Sequence, residues 1–394
     1  MTDPERTDWP AVTLAVGAGV VAAFQVGKAP IALPFIRAEM GLDLSSASWV
    51  LSILALLGAS MGGAMGSLVT RLGARRLLPG ALVLVALASL GGAAAPSLGW
   101  LLASRAIEGI GVLVTVISAP ALIALATHPR DRQTAFGLWG CFMPTGMALA
   151  MIAAPLLPMI GWRGLWLAMA VLLGLYAVAI QCRMPRQAPP ATAIAGHIWN
   201  DLIRTARSAG PALLALTFTT YTAAYMALTG FLPTLLIDRM GVSPGQAGVM
   251  TAGVAASNAL GNLATGPLLR LGAPRWLPII TASAVIGATA LGIFAPATPP
   301  ALAYGLCLVF STVGGMLPGC VLGGAAVLAP ERRLVPVTLG LVMQGSNLGQ
   351  MLGPVVVGAA VSAWGWGAAG LVLVLLSLAG MALALALRRT AHAS

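Results

Sequence analysis

Charge is what this sequence has least of. Only 8% of its 394 residues are Asp, Glu, Lys or Arg, against roughly a quarter in a soluble globular chain. With 59% hydrophobic residues and a mean hydropathy of +0.94, a water-soluble globular protein is excluded. Cysteine is scarce too. Cys141, Cys182, Cys307 and Cys320 lie inside or at the ends of apolar runs without CxxC or Cys/His spacing, so neither a disulfide framework nor a zinc site is implied. The three histidines, His128, His197 and His392, are scattered, and no nucleophile, base and orienting acid converge; the sequence gives no support to an enzyme. No GxxxxGK[ST] loop is present, which removes ATP as an energy source on this chain. The 17 methionines read as packing within apolar runs rather than as a soft-metal path. Neither a metal nor another cofactor is expected. The acidic start, with Asp3, Glu5 and Asp8, lacks the basic n-region of a signal peptide, and the apolar run behind it is too long for an h-region. That run is expected to stay as the first span.

What the chain has in abundance is long apolar runs. Twelve stretches of about 20 residues or more can be marked, each able to cross a hydrocarbon layer of about 30 Å as a helix: 11–36, 45–68, 77–95, 98–126, 133–157, 162–182, 211–237, 244–268, 276–295, 299–328, 335–361 and 366–387. The expected fold class is therefore an all-α membrane protein of twelve transmembrane helices in two six-helix bundles. One long polar stretch, 183–210, divides six runs from six, giving an N-terminal bundle over 1–182, a cytoplasmic linker over 183–210 and a C-terminal bundle over 211–394. The two halves repeat. Leu33-Pro34 returns as Leu232-Pro233, and Met40-Gly41 as Met240-Gly241. Arg71-Leu72-Gly73-Ala74 with Arg76 and Pro79 returns at offset 199 as Arg270-Leu271-Gly272-Ala273 with Arg275 and Pro278, and Gly161-Trp162 as Gly365-Trp366. Six runs separate the copies, an even number, so both halves cross with the same polarity. That parallel repeat is the arrangement of secondary transporters with a central site.

The net charge of +11 comes from 21 basic residues, 20 of them Arg. Most lie in short loops rather than on a water-facing domain, which argues against nucleic acid as a partner and for a role in topology. Sixteen fall on one side: Arg6, Arg71, Arg75, Arg76, Arg130, Arg132, Arg183, Arg186, Arg204, Arg207, Arg270, Arg275, Arg332, Arg333, Arg388 and Arg389. Three, Arg37, Arg163 and Arg239, fall on the other. The positive-inside rule puts both termini in the cytoplasm of a multi-pass inner-membrane protein.

The stretch Gly66-Ser67-Leu68-Val69-Thr70-Arg71-Leu72-Gly73-Ala74-Arg75-Arg76 resembles the signature loop of the major facilitator superfamily, with Thr70 where that signature has Asp. Arg105-Ala106-Ile107-Glu108-Gly109-Ile110-Gly111 resembles the family's buried Arg motif, and Ala32-Leu33-Pro34-Phe35-Ile36 the end of its first helix. The resemblance covers nearly the whole chain and implies two bundles rocking about a central cavity. It also implies gating roles for Gly66, Arg71, Gly73, Arg75, Arg76, Arg270 and Arg275, and proton coupling at Arg105. Within the superfamily, Gly27-Lys28-Ala29-Pro30 and Trp139 with Met143-Pro144-Thr145-Gly146-Met147-Ala148 are similar to the cyanate and nitroimidazole permease group.

Lys28 is the chain's single lysine and lies within the first run, too deep to snorkel comfortably. An ionisable group at that depth costs roughly 2.5–3.5 kcal/mol on insertion scales and faces a cavity or a partner. Two roles stay open: a cationic anchor for an anionic substrate, with Gln25 on the same helix face, or a structural partner of Glu108. Arg105 and Glu108, spaced i, i+3, can pair locally, and Glu108 is the only acid within any run. It is the carboxylate available for proton coupling, or else half of a structural pair. The second half offers uncharged polar pairs: Tyr221 and Tyr225, Asn258 and Asn262, Gln344 and Asn347. These are candidate substrate contacts or interhelical hydrogen bonds. Gly345, Gly349 and Gly353 on the Gln344 run allow close helix approach.

The expectation is a secondary transporter, acting as a monomer, that carries a small anion with possible linkage to protons. Two alternatives stand beside it. One is efflux of drugs or other hydrophobic compounds, against which Gln25 counts, since drug antiporters commonly carry an Asp nine residues before the first-helix Pro, here Pro34. The other is a transporter-like sensor or assembly partner that moves nothing.

Overall fold

The computed structural model describes residues 6–60, 72–184, 198–331 and 334–391. Helices occupy the described part of every expected run: α1 (Trp9–Met40), α2 (Leu44–Ser52, continued by the 3-10 turn Ile53–Ala55), α3 (Ala74–Ala93), α4 (Leu98–Ala126), α5 (Arg132–Gly140), α6 (Phe142–Met151), α7 (Leu157–Arg183), α8 (Ile198–Arg207), α9 (Ala209–Met240), α10 (Pro244–Arg270), α11 (Trp276–Phe294), α12 (Pro300–Gly314), α13 (Met316–Leu328), α14 (Val335–Trp364) and α15 (Trp366–Ala391). At 1.5 Å per residue, the 32 residues of α1 reach about 48 Å, well beyond the hydrocarbon thickness. Local signals set the starts: Asp43 caps α2 through Ser46, Ser97 caps α4 through Trp100, and Ser243 and Gln246 form a reciprocal capping box on α10.

Among the described residues eight stretches are long and apolar enough to cross a membrane. The difference from twelve runs has physical causes. Thr134–Arg183 counts once at 50 residues, although Gly161, at φ 65° and ψ 172°, turns the chain between two helical segments. The described part of α2 is short, and α10 and α14 are diluted by Asn258 and Asn262 and by Gln344, Asn347 and Gln350. Outward faces are apolar: Val171, Leu175 and Val178 on α7 and Leu371, Leu375 and Leu378 on α15 are exposed. Such stripes suit hydrocarbon and would be liabilities in water.

The sequence repeat has a backbone counterpart. Among the described residues the six glycines with positive φ form three pairs: Gly41 and Gly241 (64° and 62°), Gly73 and Gly272 (86° and 87°), and Gly161 and Gly365 (65° and 76°). Their offsets of 200, 199 and 204 match those of the sequence repeat. Each pair ends or turns a helix where an L side chain would be strained.

The first copy packs α1 against α4, α6 and α7, and α3 against α4 and α7; the second packs α9 against α14 and α15, and α11 against α12 and α15. The copies meet along α2 and α14, and along α6 and the Ala154–Leu156 turn against α10. Much of this seam lies at the end away from the chain's described ends, hereafter the distal end, where α1 hands over to α2 and α14 to α15. There the Ser45 N–H donates to Ser362 Oγ at 3.0 Å, Gly358 lies on Ser48, Gly230 on Leu51, Gly245 on Pro155, and Gly248 on Ala154. Further along, Gln344 Nε2 donates to the Ser60 carbonyl at 3.2 Å and Asn347 sits against Gly58. Within the second copy Gly345, Gly349 and Gly353 rest on the α9 backbone at Ala215, Thr219 and Ala223. Thr219 and Thr222 each donate to α14 carbonyls at 2.9 Å.

Candidate functional site

Lys28, Arg105 and Glu108 converge in the first copy, with at most 1% of any of their side chains exposed. Lys28 Nζ donates to Glu108 Oε1 at 2.7 Å and to Ser89 Oγ at 2.8 Å. It stands 4.3 Å from the centre of the Trp166 ring, and Ser89 Oγ in turn donates to the Trp166 carbonyl at 3.0 Å. Arg105 Nη1 donates to Glu108 Oε2 at 2.6 Å and to the Gln25 carbonyl at 2.8 Å, while Nε donates to the Val50 carbonyl at 3.2 Å. Each carboxylate oxygen thus holds one cation.

Small residues make the convergence possible. Gly27, beside Lys28, places α1 on Met147 of α6, where a Cβ would come within 2.7 Å of the Met147 carbonyl oxygen. Gly109, beside Glu108, rests on the Leu54 carbonyl, and Gly111 on Ala81 and Val85 of α3. A side chain at any of these would force the helices apart and pull the charges out of reach. A buried ion cluster is tolerated only with such complete geometry, because loss of the shared Glu108 carboxylate leaves both cations uncompensated. A desolvated ammonium on an aromatic face gains about 2 kcal/mol or more.

Two features of this cluster are unbalanced. The three side chains are the fully buried charged groups among the described residues, and together they carry one excess positive charge. Gln25 is also fully buried, yet neither atom of its side-chain amide has a hydrogen-bond partner. A buried amide left so costs roughly 1–3 kcal/mol.

The second copy presents a polar chain without charge. Asn258 Nδ2 donates to the Tyr221 hydroxyl at 2.9 Å and to the Ser311 carbonyl at 3.0 Å, and Asn262 Nδ2 donates to Asn258 Oδ1 at 3.1 Å. Tyr225 stacks on Tyr221 with ring centres 5.7 Å apart. Gln344 and Asn347 lie instead on the seam, against Ser60 and Gly58 beyond the end of α2. Trp139 is stacked on Phe142 at 4.2 Å and covers Gly19 of α1. The candidate residues therefore form two clusters, one charged and one neutral, with the seam pair and Trp139 apart from both.

Of the loop residues, Gly66 and Arg71 lie outside the described residues. Gly73 supplies the positive-φ turn into α3. Arg75 donates through Nη2 to the Gln181 and Met184 carbonyls, each at 2.9 Å, tying the start of α3 to the end of α7. Arg76 and Arg270 are exposed. Arg275 reaches the Cys320 carbonyl of α13 at 3.5 Å and lies over Gly323, so each half has an Arg bracing the helix after its signature loop. Ser89, Trp166 and Ser311 were not singled out by the sequence: a serine or tryptophan within an apolar run carries no periodic or motif signal.

Residues 15–337 match the Major Facilitator Superfamily, and the chain belongs to that family: it is a multi-pass membrane transporter, not an enzyme. A 3-(3-hydroxy-phenyl)propionate transporter of Escherichia coli (strain K12) is 29% identical over 342 residues, 84% of this chain and 81% of that protein. A puromycin resistance protein of Streptomyces alboniger is 31% identical over 166 residues, 41% of this chain; the match spans only 32% of that protein. Among solved structures, a bacterial homolog to the human lysosomal transporter Spinster, in an inward-facing and occupied conformation, superposes with a TM-score of 0.77 at 15% identity, covering 99% of this chain and 98% of that one. At that identity the likeness speaks for the fold.

Proposed function

We propose that this chain is a secondary active transporter that moves a small organic anion across the inner membrane by alternating access, with proton coupling at Lys28, Glu108 and Arg105. The observation that carries this reading is the excess positive charge of that cluster, which a bound anion would neutralise. The relative named for 3-(3-hydroxy-phenyl)propionate, a carboxylic acid, supports the same class. In this reading Lys28 and Gln25 meet the acid group, and Trp139, Tyr221, Tyr225, Asn258, Asn262, Gln344 and Asn347 line its route or its body. Gly66, Arg71, Gly73, Arg75, Arg76, Arg270 and Arg275 act at the gate. The protein works as a monomer with twelve crossings in bundles 1–182 and 211–394, joined by 183–210. The count follows if Thr134–Arg183 is two crossings, since 50 residues reach about 75 Å as helix, and if α2, α10 and α14 also cross. The Arg distribution supports cytoplasmic termini, which makes the distal end periplasmic.

The test is uptake of radiolabelled 3-(3-hydroxy-phenyl)propionate and related acids into proteoliposomes. Accumulation driven by an inwardly directed proton gradient and abolished by Lys28→Ala is the expected result; no movement of any acid refutes the reading. Efflux of drugs is the second reading, favoured by the partial match to the puromycin resistance protein, and it predicts puromycin movement in the same vesicles. A sensor that transports nothing would bind a ligand without counterflow.

A further inference from the structure

We infer that the proton carried by the buried cluster rides on Lys28, and that Glu108 stays an ionised counter-charge throughout the cycle. This rests on the proposed role of the cluster in coupling and assigns the group within it. The sequence favours Glu108, the only acid within a run; the geometry favours the lysine.

The argument is a count of charge. With Lys28 as an ammonium, Glu108 as a carboxylate and Arg105 as a guanidinium, the site holds +1 in complete burial. Protonating Glu108 raises it to +2, with two cations at 2.7 Å and 2.6 Å facing a neutral acid. Releasing the proton of Lys28 lowers it to zero and leaves the Arg105–Glu108 pair intact. The cost of holding charge away from water rises with the square of net charge, so the second exchange is the one the site favours. Arg105 cannot take part, since a guanidinium keeps its proton.

The neighbours do not alter the count. Around Lys28, α3 presents Ser89, α4 presents Arg105 and Glu108, α7 presents Trp166, and α6 presents Met147 behind Gly27. Only the two members of the cluster bear charge. Ser89 suits both states of Lys28, because its hydroxyl, which donates to the Trp166 carbonyl, can accept from an ammonium or from the N–H of an amine.

The cycle then balances. On one side of the membrane the neutral amine takes up a proton and the resulting ammonium receives a monovalent anion, so the loaded site sums to zero. On the other side the anion leaves and the proton follows it to water, so the empty site also sums to zero. Proton and anion travel together, one for one, with no net charge moved.

The experiment uses the fact that Lys28 is the single lysine. Full-length protein in lipid nanodiscs, labelled with 13C-lysine, gives one side-chain Cε resonance. Labelling with 13C-glutamate gives four, for Glu5, Glu39, Glu108 and Glu331, with Glu108 assigned by its loss in Glu108→Gln. When pH is varied across the range in which the protein stays folded, the resonance that moves should be the lysine's, from its ammonium to its amine position, and not that of Glu108. A lysine resonance that does not move, or a Glu108 resonance that does, overturns the assignment. This readout needs no substrate, so it stands even if the acid-transport reading fails. Where the native protein accumulates 3-(3-hydroxy-phenyl)propionate, Lys28→Arg, whose guanidinium keeps its proton, should lose at least tenfold in uphill accumulation; undiminished accumulation in Lys28→Arg likewise overturns it.

Discussion

A single added methyl at Gly358 should hinder closure of the distal end. A Cβ there would lie 2.7 Å from Ser48 Cβ and 3.2 Å from the Leu44 carbonyl oxygen, both on α2 in the other half of the molecule, and 3.2 Å from Phe231. Carbon atoms sit best at about 3.5–4.0 Å, so α14 and α2 must separate by about 1 Å to admit alanine, and further for leucine. The seam is helix on helix, with Ser48 fully buried, so relief by a flexible side chain is not on offer. Overpacking of this kind costs typically 1–3 kcal/mol, which lowers the population of the closed state about 5- to 150-fold relative to open states. Cross-linking reads this out: in a background without the four native cysteines, Ser45→Cys with Ser362→Cys places thiols at a contact made through a 3.0 Å hydrogen bond. Disulfide formation should slow at least fivefold with Gly358→Ala and more with Gly358→Leu. Gly367→Ala, which meets nothing within 4 Å, is the control. Parent-like cross-linking in Gly358→Leu would refute the claim that this seam must close tightly.

Removing the shared acid of the buried cluster should be worse than its hydrogen bonds suggest: Glu108→Gln, which leaves Lys28 and Arg105 without a counter-charge, is expected to cost about 3–5 kcal/mol, seen as a lower thermal midpoint. If Lys28→Ala with Glu108→Gln restores both folding and native affinity for 3-(3-hydroxy-phenyl)propionate, Lys28 is not a substrate anchor. Arg75→Ala should free the end of α7, because bonds to the Gln181 and Met184 carbonyls are lost, a loss of about 1.5–3 kcal/mol for bonds to a charged group before solvent screening. Faster alkylation of the neighbouring exposed Cys182 measures it, and an unchanged rate dismisses the brace. Reporter fusions at Ser394 and within 183–210 should both report cytoplasm; a periplasmic signal from either reverses the assigned orientation.

Much of the architecture was legible because the relevant signals are local or repeated. The pair Arg105 and Glu108 shows in its i, i+3 spacing, and the matched loops at Gly73 and Gly272 show in a motif that recurs with its glycine. The polar residues that dilute α10 and α14 could also be read, and they account for part of the gap between twelve runs and eight strongly apolar stretches. What could not be read depends on long-range placement. Ser89 and Trp166 are 61 and 138 positions from Lys28, and only the packing of α1 against α3 and α7 sets them around its ammonium. The two roles open to Lys28 differ in which helix its side chain meets, which no spacing along α1 encodes.

Duplication also gives the molecule its own uncharged counterpart of the buried cluster. At the offset of 199 that aligns Leu33-Pro34 with Leu232-Pro233, Gln25 and Lys28 fall against Ala224 and Ala227, each 1% exposed. The second copy therefore closes around two alanines where the first encloses an amide and an ammonium, and its described helices bury no charged side chain at all. A helical unit of this kind has no folding requirement for ions in its middle. Any protonation chemistry of the buried cluster would consequently bear directly on one half and not on the other, even though the two share their turns at Gly41 and Gly241, Gly73 and Gly272, and Gly161 and Gly365.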